Sequence, residues 1–451
     1  MQRIISAFAG NRLTARLLRS ASWVLVGYAG AQAIRLASNL ILTRILFPEA
    51  FGLMALVTVI TVGLMMFSDV GVGPSIAQSK RGDDPDFLNT AWTIQIIRGG
   101  LLWAITLAIA GPVARFYEQP DLVLYLPVAG FALVITGFLP TRIETAHRHL
   151  VFGRLTQLDL AAQFIGVGFM VVLALITGSV MALVAGAVLT ALARLILTWR
   201  FLPGEGNRLR LEPASVHEQI HFGKWIFLST AFAFVSTQGD KAILGKLVPL
   251  ETLGIYNIGY FLASFPVLLG VTMAQNLLIP VYRDRPPEES PHHRARLRKM
   301  RLLVTGSLFG LLSLLGLLGP WIIALLYDPR YASAGAMMVV MALGFLPQAV
   351  GITYDRAALA AGDSRGAFVY SGIRALLQAG LLVLGFQLAG LLGGLASYGI
   401  AMLLSHPVLI RLARRHHAWD GPHDMAFLGA GLGVTALALW LHWEAVIGLG
   451  P

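Results

Sequence analysis

Thirteen apolar stretches, each long enough to cross a bilayer, follow one another from residue 21 to residue 447. Their approximate limits are 21–45, 52–78, 87–111, 122–143, 155–177, 180–200, 222–246, 253–281, 302–325, 332–360, 367–388, 391–410 and 425–447. A helix needs about 20 apolar residues to span the hydrocarbon core. No polar segment between the stretches exceeds about 20 residues, which leaves no room for a soluble domain of any size. Only 13% of the residues are charged, against about 25% in ordinary soluble proteins. The chain therefore reads as an all-α polytopic membrane protein, because a spanning segment must satisfy its backbone polar groups internally.

The basic residues predict orientation. With the N-terminus cytoplasmic, 24 of the 34 Lys and Arg residues fall on inner segments and only Arg44, Arg115, Lys246 and Arg330 on outer turns. That asymmetry follows the positive-inside rule. It accounts for the net charge of +11 without a nucleic-acid partner. Residues 1–20 alternate Ile4, Ile5, Phe8 and Leu13 with four arginines, the pattern of an amphipathic helix on the cytoplasmic surface rather than a cleavable signal.

A repeat divides the remainder. Trp23, Arg44, Glu49 and Gly52 recur 202 residues later as Trp225, Lys246, Glu251 and Gly254. Repeats of this kind are a signature of secondary transporters built from two related halves. The expected organisation is a six-helix bundle over 21–200, a cytoplasmic linker over 201–221, and a second, pseudo-symmetric six-helix bundle over 222–410. An additional transmembrane helix over 425–447 is an appendage to this core of twelve.

Six basic residues belong to no loop: Arg35, Arg98, Arg194, Lys241, Arg356 and Arg374. A charge at the bilayer centre costs about 2.5–3.5 kcal/mol on insertion scales, so each must meet water or a partner. Arg35 and Arg98 lie deepest, whereas Arg194, Arg356 and Arg374 are close enough to the inner ends to snorkel. Tyr28, Gln32, Arg35, Asn39 and Thr43 are spaced to share one face of the first helix. Such a stripe faces either neighbouring helices or a water-filled cavity. Asp69 is the only acid in the second stretch; it can pair with Arg35 or Arg98, or bind a coupling proton or cation. Asp240 and Lys241 are adjacent in the seventh stretch, where they are candidates for coupling or for an ion pair.

Other chemistries find no support. Cysteine is absent, and with it disulfides, thiolate nucleophiles and Cys-ligated metal. No Gly-x4-Gly-Lys-Ser/Thr phosphate loop occurs. His292–His293 and His416–His417 lack metal-ligand spacing. No catalytic residue, cofactor or metal is expected, and the chain reads as a non-enzyme.

Several local patterns then carry a family resemblance. They are Arg44-Ile-Leu-Phe-Pro48-Glu-Ala-Phe-Gly52, Asp69-Val-Gly71 with Gln78, Thr90-Ala-Trp92, Phe116-Tyr117 with Pro120, and Arg148-His-Leu-Val-Phe152 with Arg154-Leu155. Later come Asp240 with Leu244-Gly245, Leu253-Gly254-Ile-Tyr256, Pro266, Tyr327 with Tyr331 and Ala334, and Ala361-Gly362-Asp363. In order and spacing over about residues 20–415, the chain resembles the bacterial polysaccharide-transporter family. These are the Wzx-type oligosaccharide flippases of the multidrug/oligosaccharidyl-lipid/polysaccharide exporter superfamily. The resemblance implies two six-helix bundles around a central cavity that opens alternately inward and outward. It implies an undecaprenyl-pyrophosphate-linked oligosaccharide as substrate, carried across the bacterial inner membrane for exopolysaccharide, capsule or O-antigen synthesis. A glycan polymerase and a chain-length regulator are candidate partners. Cavity candidates for the substrate are Tyr28, Gln32, Arg35, Asn39, Arg98 and Arg374. Two alternatives stand beside this reading: a cation-coupled antiporter for small organic cations, which calls for an acidic cavity, and a membrane-embedded glycan polymerase, which calls for large outer loops.

Overall fold

The structure, a computed structural model, describes residues 13–69, 71–278, 281, 282 and 289–450, and only the backbone of 13–21, 220–229, 276 and 277. Among the described residues there are helices and no strands. The helices of the first part are α1 (Leu13–Ile45), α2 (Pro48–Phe67), α3 (Val72–Gln78), α4 (Pro85–Tyr117), α5 (Leu122–Gly137), α6 (Arg142–Arg148), α7 (Phe152–Thr177) and α8 (Met181–Phe201). They are followed by α9 (Pro213–Leu247), α10 (Leu250–Met273), α11 (Pro291–Leu326), α12 (Ser333–Gly351) and α13 (Asp355–Ala360). The last three are α14 (Ser364–Arg415), α15 (Gly421–Leu441) and α16 (Trp443–Ile447). The chain divides into two compact units, Met1–Ala231 and Phe232–Pro451. Most of the expected amphipathic segment, and Trp225 of the repeat, lie outside the residues whose side chains are described.

Ten described helical segments are long and apolar enough to cross a membrane, or eleven if α5 and α6, bent by 64°, count as one span. The thirteen expected stretches are reconciled with these by two local facts. The first is in α14, whose 52 residues contain non-helical Ala389 and Gly390, the latter at φ 57, a conformation open mainly to glycine. Residues eight apart in a straight helix are separated by about 12 Å. A Cβ on Gly393 would lie 2.0 Å from the Gly385 carbonyl oxygen, so the chain reverses there and the stretches 367–388 and 391–410 are separate helices. The second is in α9, which contains the seventh stretch but whose side chains at 220–229 are not described.

The repeated marker residues have the same local placement in both copies. Arg44 is in the last turn of α1 and Lys246 in the last turn of α9. Glu49 and Glu251 are in the first turns of α2 and α10. Both placements match charge to the helix dipole. Gly52 and Gly254 are buried one turn on.

The second expected stretch is broken. α2 ends at Phe67, the Asp69 carboxylate accepts the Gly71 amide at 2.9 Å, and Gly71 starts α3 in the left-handed region at φ 68. Arg148 in turn closes the other end of α3, donating from Nη1 to the carbonyls of Ile76, Ala77 and Ser79 at 2.8–3.0 Å.

The polar stretch 201–221 is fastened to the first unit. Asn89 Oδ1 accepts the Arg208 amide at 2.8 Å, and Thr93 and Thr90 accept those of Arg210 and Glu212 at 2.9 and 3.1 Å. Arg81 joins Asp84 to Glu212 at 2.6 and 2.7 Å. Hydrogen bonds from Ser215 and then Arg81 hold the Glu212 carboxyl below its ordinary range; Arg81 and then the Asp86 amide do so for Asp84. Depressed carboxylates contribute their stabilisation above the unfolded-state range and lose it as pH falls through the folded one. This fastening therefore loosens only in acid.

The thirteenth stretch is an integral element of the second unit rather than an appendage. At one end of α15, Asp424 accepts hydrogen bonds from Tyr354 at 2.6 Å and Trp419 at 3.0 Å and lies 3.1 Å from His406 Nε2. In its second turn, Phe427 meets Phe309 edge-on at 5.4 Å. Beyond the other end, His442 Nε2 reaches the Leu317 carbonyl at 2.7 Å. Leu449 O then accepts the Leu392 amide, just past the break in α14, satisfying a donor that the broken helix leaves without an acceptor.

Candidate functional site

The polar stripe of α1 opens onto a cavity. Tyr28, Gln32 and Arg35 line a space of about 460 Å³ within the first unit. Gln32 Nε2 donates to the Tyr28 hydroxyl at 3.0 Å, and its Oε1 is buried with no hydrogen-bond partner among the described residues. Arg35 is exposed to the cavity and makes no hydrogen bond or ion pair among the described residues. Asn39 and Thr43, further along the stripe, do not line it; Thr43 donates back to the Asn39 carbonyl at 2.7 Å.

Two further helices complete the wall. α7 brings Asp159 and Gln163, one turn apart, and α8 brings Thr190 and Arg194, also one turn apart. Gln163 Nε2 donates to the Ala31 carbonyl at 3.2 Å, which ties α7 to α1. Arg194 donates from Nε to Asp159 Oδ1 at 2.7 Å and from Nη2 to Oδ2 at 3.4 Å. Nη1 of Arg194 has no partner among the described residues. The helices approach closely because a Cβ on Gly166 would fall 1.8 Å from Thr190 Oγ1. The cavity thus holds two guanidiniums and one carboxylate, with amides and hydroxyls between them.

Arg98 is not part of this wall. It donates to the Ser68 hydroxyl at 2.9 Å and to the Met65 carbonyl at 3.0 Å, and its Nη1 lies 3.7 Å from Asp69. It therefore closes the C-terminal end of α2 and meets the acid of the same break. Of the two partners open to Asp69, the structure brings it Arg98.

The remaining candidates lie in the second unit. Asp240 and Lys241 are 4% and 8% exposed, with Lys241 Nζ 3.5 Å from Asp240 Oδ2 and 3.9 Å from the Tyr260 ring centroid. The Tyr256 hydroxyl donates to Asp240 Oδ2, Tyr398 also bonds this carboxylate, and Asp240 Oδ1 has no hydrogen-bond partner among the described residues. Arg374 lies near the Tyr370 ring, within electrostatic reach of Asp355, and its Nε is buried without a hydrogen-bond partner among the described residues. Among the described residues no three His, Asp or Glu side chains gather to hold a metal.

Sequence reasoning missed Asp159, Gln163 and Thr190 and assigned Arg194 to the interface. The available signal was polar spacing: Asp159 and Gln163, like Thr190 and Arg194, are four apart inside apolar stretches.

The fold is that of a polytopic helical membrane protein. The chain belongs to the family described as polysaccharide biosynthesis protein, which it matches over residues 41–349. The resemblance read from the motifs is thereby borne out. The chain is 21% identical over 292 residues to the teichuronic acid biosynthesis protein TuaB of Bacillus subtilis. That match spans 63% of this chain and 59% of TuaB, so the chain matches under two thirds of this relative's length. It is 20% identical to the lipopolysaccharide biosynthesis protein WzxC of Escherichia coli, over 84% of this chain and 77% of WzxC. Among solved structures, the lipid II flippase MurJ in an inward closed conformation aligns with a TM-score of 0.64 at 11% identity. That alignment covers 93% of this chain and 99% of MurJ and shows a shared fold.

Proposed function

We propose that the protein is a flippase for a polyprenyl-pyrophosphate-linked oligosaccharide, carrying it by alternating access from the inner to the outer leaflet of the bacterial cytoplasmic membrane. The carrier lipid is undecaprenyl, and the N-terminus is cytoplasmic. The family and the names of its relatives, including a lipid II flippase of the same fold, support this class of cargo. The observation that carries the reading is Arg35, exposed to a polar cavity among membrane-spanning helices and bound to nothing described.

Pyrophosphate needs charge-assisted donors where water is scarce, and guanidiniums supply several in fixed geometry. Arg35 and the free Nη1 of Arg194 are those donors. Asp159 acts as a positioning residue by holding Arg194. Gln32, Gln163 and Thr190 suit the hydroxyls of a sugar, since Gln32 Oε1 is a buried acceptor awaiting a donor. The lipid tail stays in the bilayer, and no covalent step is required. An organic cation would meet two arginines and one already paired acid, which disfavours the antiporter reading.

Removing the protein from a cell that makes the surface glycan should cause the lipid-linked saccharide to accumulate on the inner leaflet while surface glycan is lost. Normal surface glycan without that accumulation would sink the proposal.

A further inference from the structure

The beginning of α11 is strongly basic, and Arg294, Arg298 and Arg301 are spaced to share one face. That face lines a second cavity, of about 500 Å³, within the second unit. The opposite wall is His417, Trp419 and Asp420, in the loop that leads into α15.

The cavity rests on a fixed floor. Arg301 is 5% exposed and donates to the Ala418 carbonyl at 2.6 Å, the Tyr282 hydroxyl at 2.9 Å and the Thr353 hydroxyl at 3.2 Å. Its guanidinium also lies 4.4 Å from the Tyr354 ring centroid. Asp420 is shared by Arg298 at 3.1 Å and Arg301 at 3.9 Å. Arg294 is exposed and has no ion pair among the described residues. One carboxylate thus faces three guanidiniums, leaving an excess of positive charge around an open space.

The surface changes character beside this cavity. Leu302, next along α11, is 44% exposed, and Met425, in the first turns of α15, is 73% exposed. A soluble anion would use only the arginines. A molecule with a phosphate group and acyl chains would use both surfaces at once, and basic pockets at the ends of membrane helices suit such headgroups.

We propose that this cavity binds the phosphodiester headgroup of an anionic phospholipid, with the acyl chains lying along Leu302 and Met425. The lipid bridges the start of α11 to the loop before α15 and so reinforces the docking of α15 on the second unit. The site is separate from the cavity of Arg35 and does not depend on what that cavity carries.

The test is a titration of purified full-length protein with phosphatidylglycerol, followed by native mass spectrometry and by the thermal unfolding midpoint. Phosphatidylcholine and inorganic phosphate are run at matched concentrations. Saturable phosphatidylglycerol binding with a raised midpoint is expected, with neither effect from phosphatidylcholine or phosphate. Arg294→Gln with Arg298→Gln should weaken binding at least about tenfold, whereas Arg208→Gln with Arg411→Gln, which removes equal charge elsewhere, should leave it unchanged. Three results would overturn the proposal: undiminished binding by the first pair, equal loss by the second, or equal protection by inorganic phosphate.

Discussion

Lys241→Met should destabilise the second unit by about 3–5 kcal/mol, the cost of leaving one partner of a buried ion pair uncompensated. That is a large share of the about 5–15 kcal/mol by which folded proteins typically exceed their unfolded states. The reason is local. Asp240 then loses its ammonium and is left with tyrosine hydroxyls, that of Tyr256 on Oδ2 and that of Tyr398, while its Oδ1 has no hydrogen-bond partner among the described residues. Tyr260 also loses the cation on its ring. Asp240→Asn combined with Lys241→Met should recover most of the loss, because replacing a buried pair with neutral groups of similar volume is often close to neutral. The double-mutant cycle measures the coupling directly. A Lys241→Met protein with the accumulation and unfolding midpoint of the wild type would show that the pair is not an ion pair of consequence.

The second large effect is on transport. Arg35→Ala should reduce glycan export at least about tenfold, the equivalent of one charge-assisted hydrogen bond to the cargo at about 1.5–3 kcal/mol. Protein level should stay normal, since Arg35 is exposed and supports no described neighbour. Arg35→Lys keeps the charge without the planar fork and should fall between the two. Adding Asp69→Ala should not rescue export, because Asp69 faces Arg98 at the end of α2. Arg98→Ala should instead lower protein level, since the Met65 carbonyl and the Ser68 hydroxyl lose their guanidinium hydrogen bonds and the Asp69 carboxylate loses its ion pair. Rescue of Arg35→Ala by Asp69→Ala, measured as surface glycan per unit of protein, would make Arg35 a counter-ion and remove its role in binding.

The helical architecture is legible in the sequence because spanning a bilayer imposes one length and one composition. Tyr28, Gln32 and Arg35 are legible for a related reason: a polar stripe of helical period is costly against lipid, so it announces a cavity. What periodicity cannot supply is the partner across a helix pair. Asp159 and Arg194 are 35 residues apart on α7 and α8, and nothing in either stretch says that their turns align. Depth alone marks Arg98 as a substrate candidate in the sequence; the structure sets it at the end of α2, against the Met65 carbonyl, the Ser68 hydroxyl and the Asp69 carboxylate. The Asp69-Val-Gly71 motif did carry that break, as a side-chain-to-amide turn ending in a left-handed glycine. The docking of α15 depends on Tyr354, His406 and Trp419 converging on Asp424 from positions up to 70 residues away. Hydropathy sees α15 as one more apolar stretch and is silent about that network.

The central claim is that the cavity of α1, α7 and α8 grips the anionic headgroup of a lipid-linked glycan through Arg35. It is tested most directly by titrating purified protein with a polyprenyl-pyrophosphate-linked saccharide, with an uncharged polyprenol-linked saccharide as competitor, and comparing wild type with Arg35→Ala. Saturable binding that the uncharged lipid does not displace, weakened at least about tenfold in the variant, is the predicted result. Equal affinity of wild type and variant, or effective competition by the uncharged lipid, would contradict it.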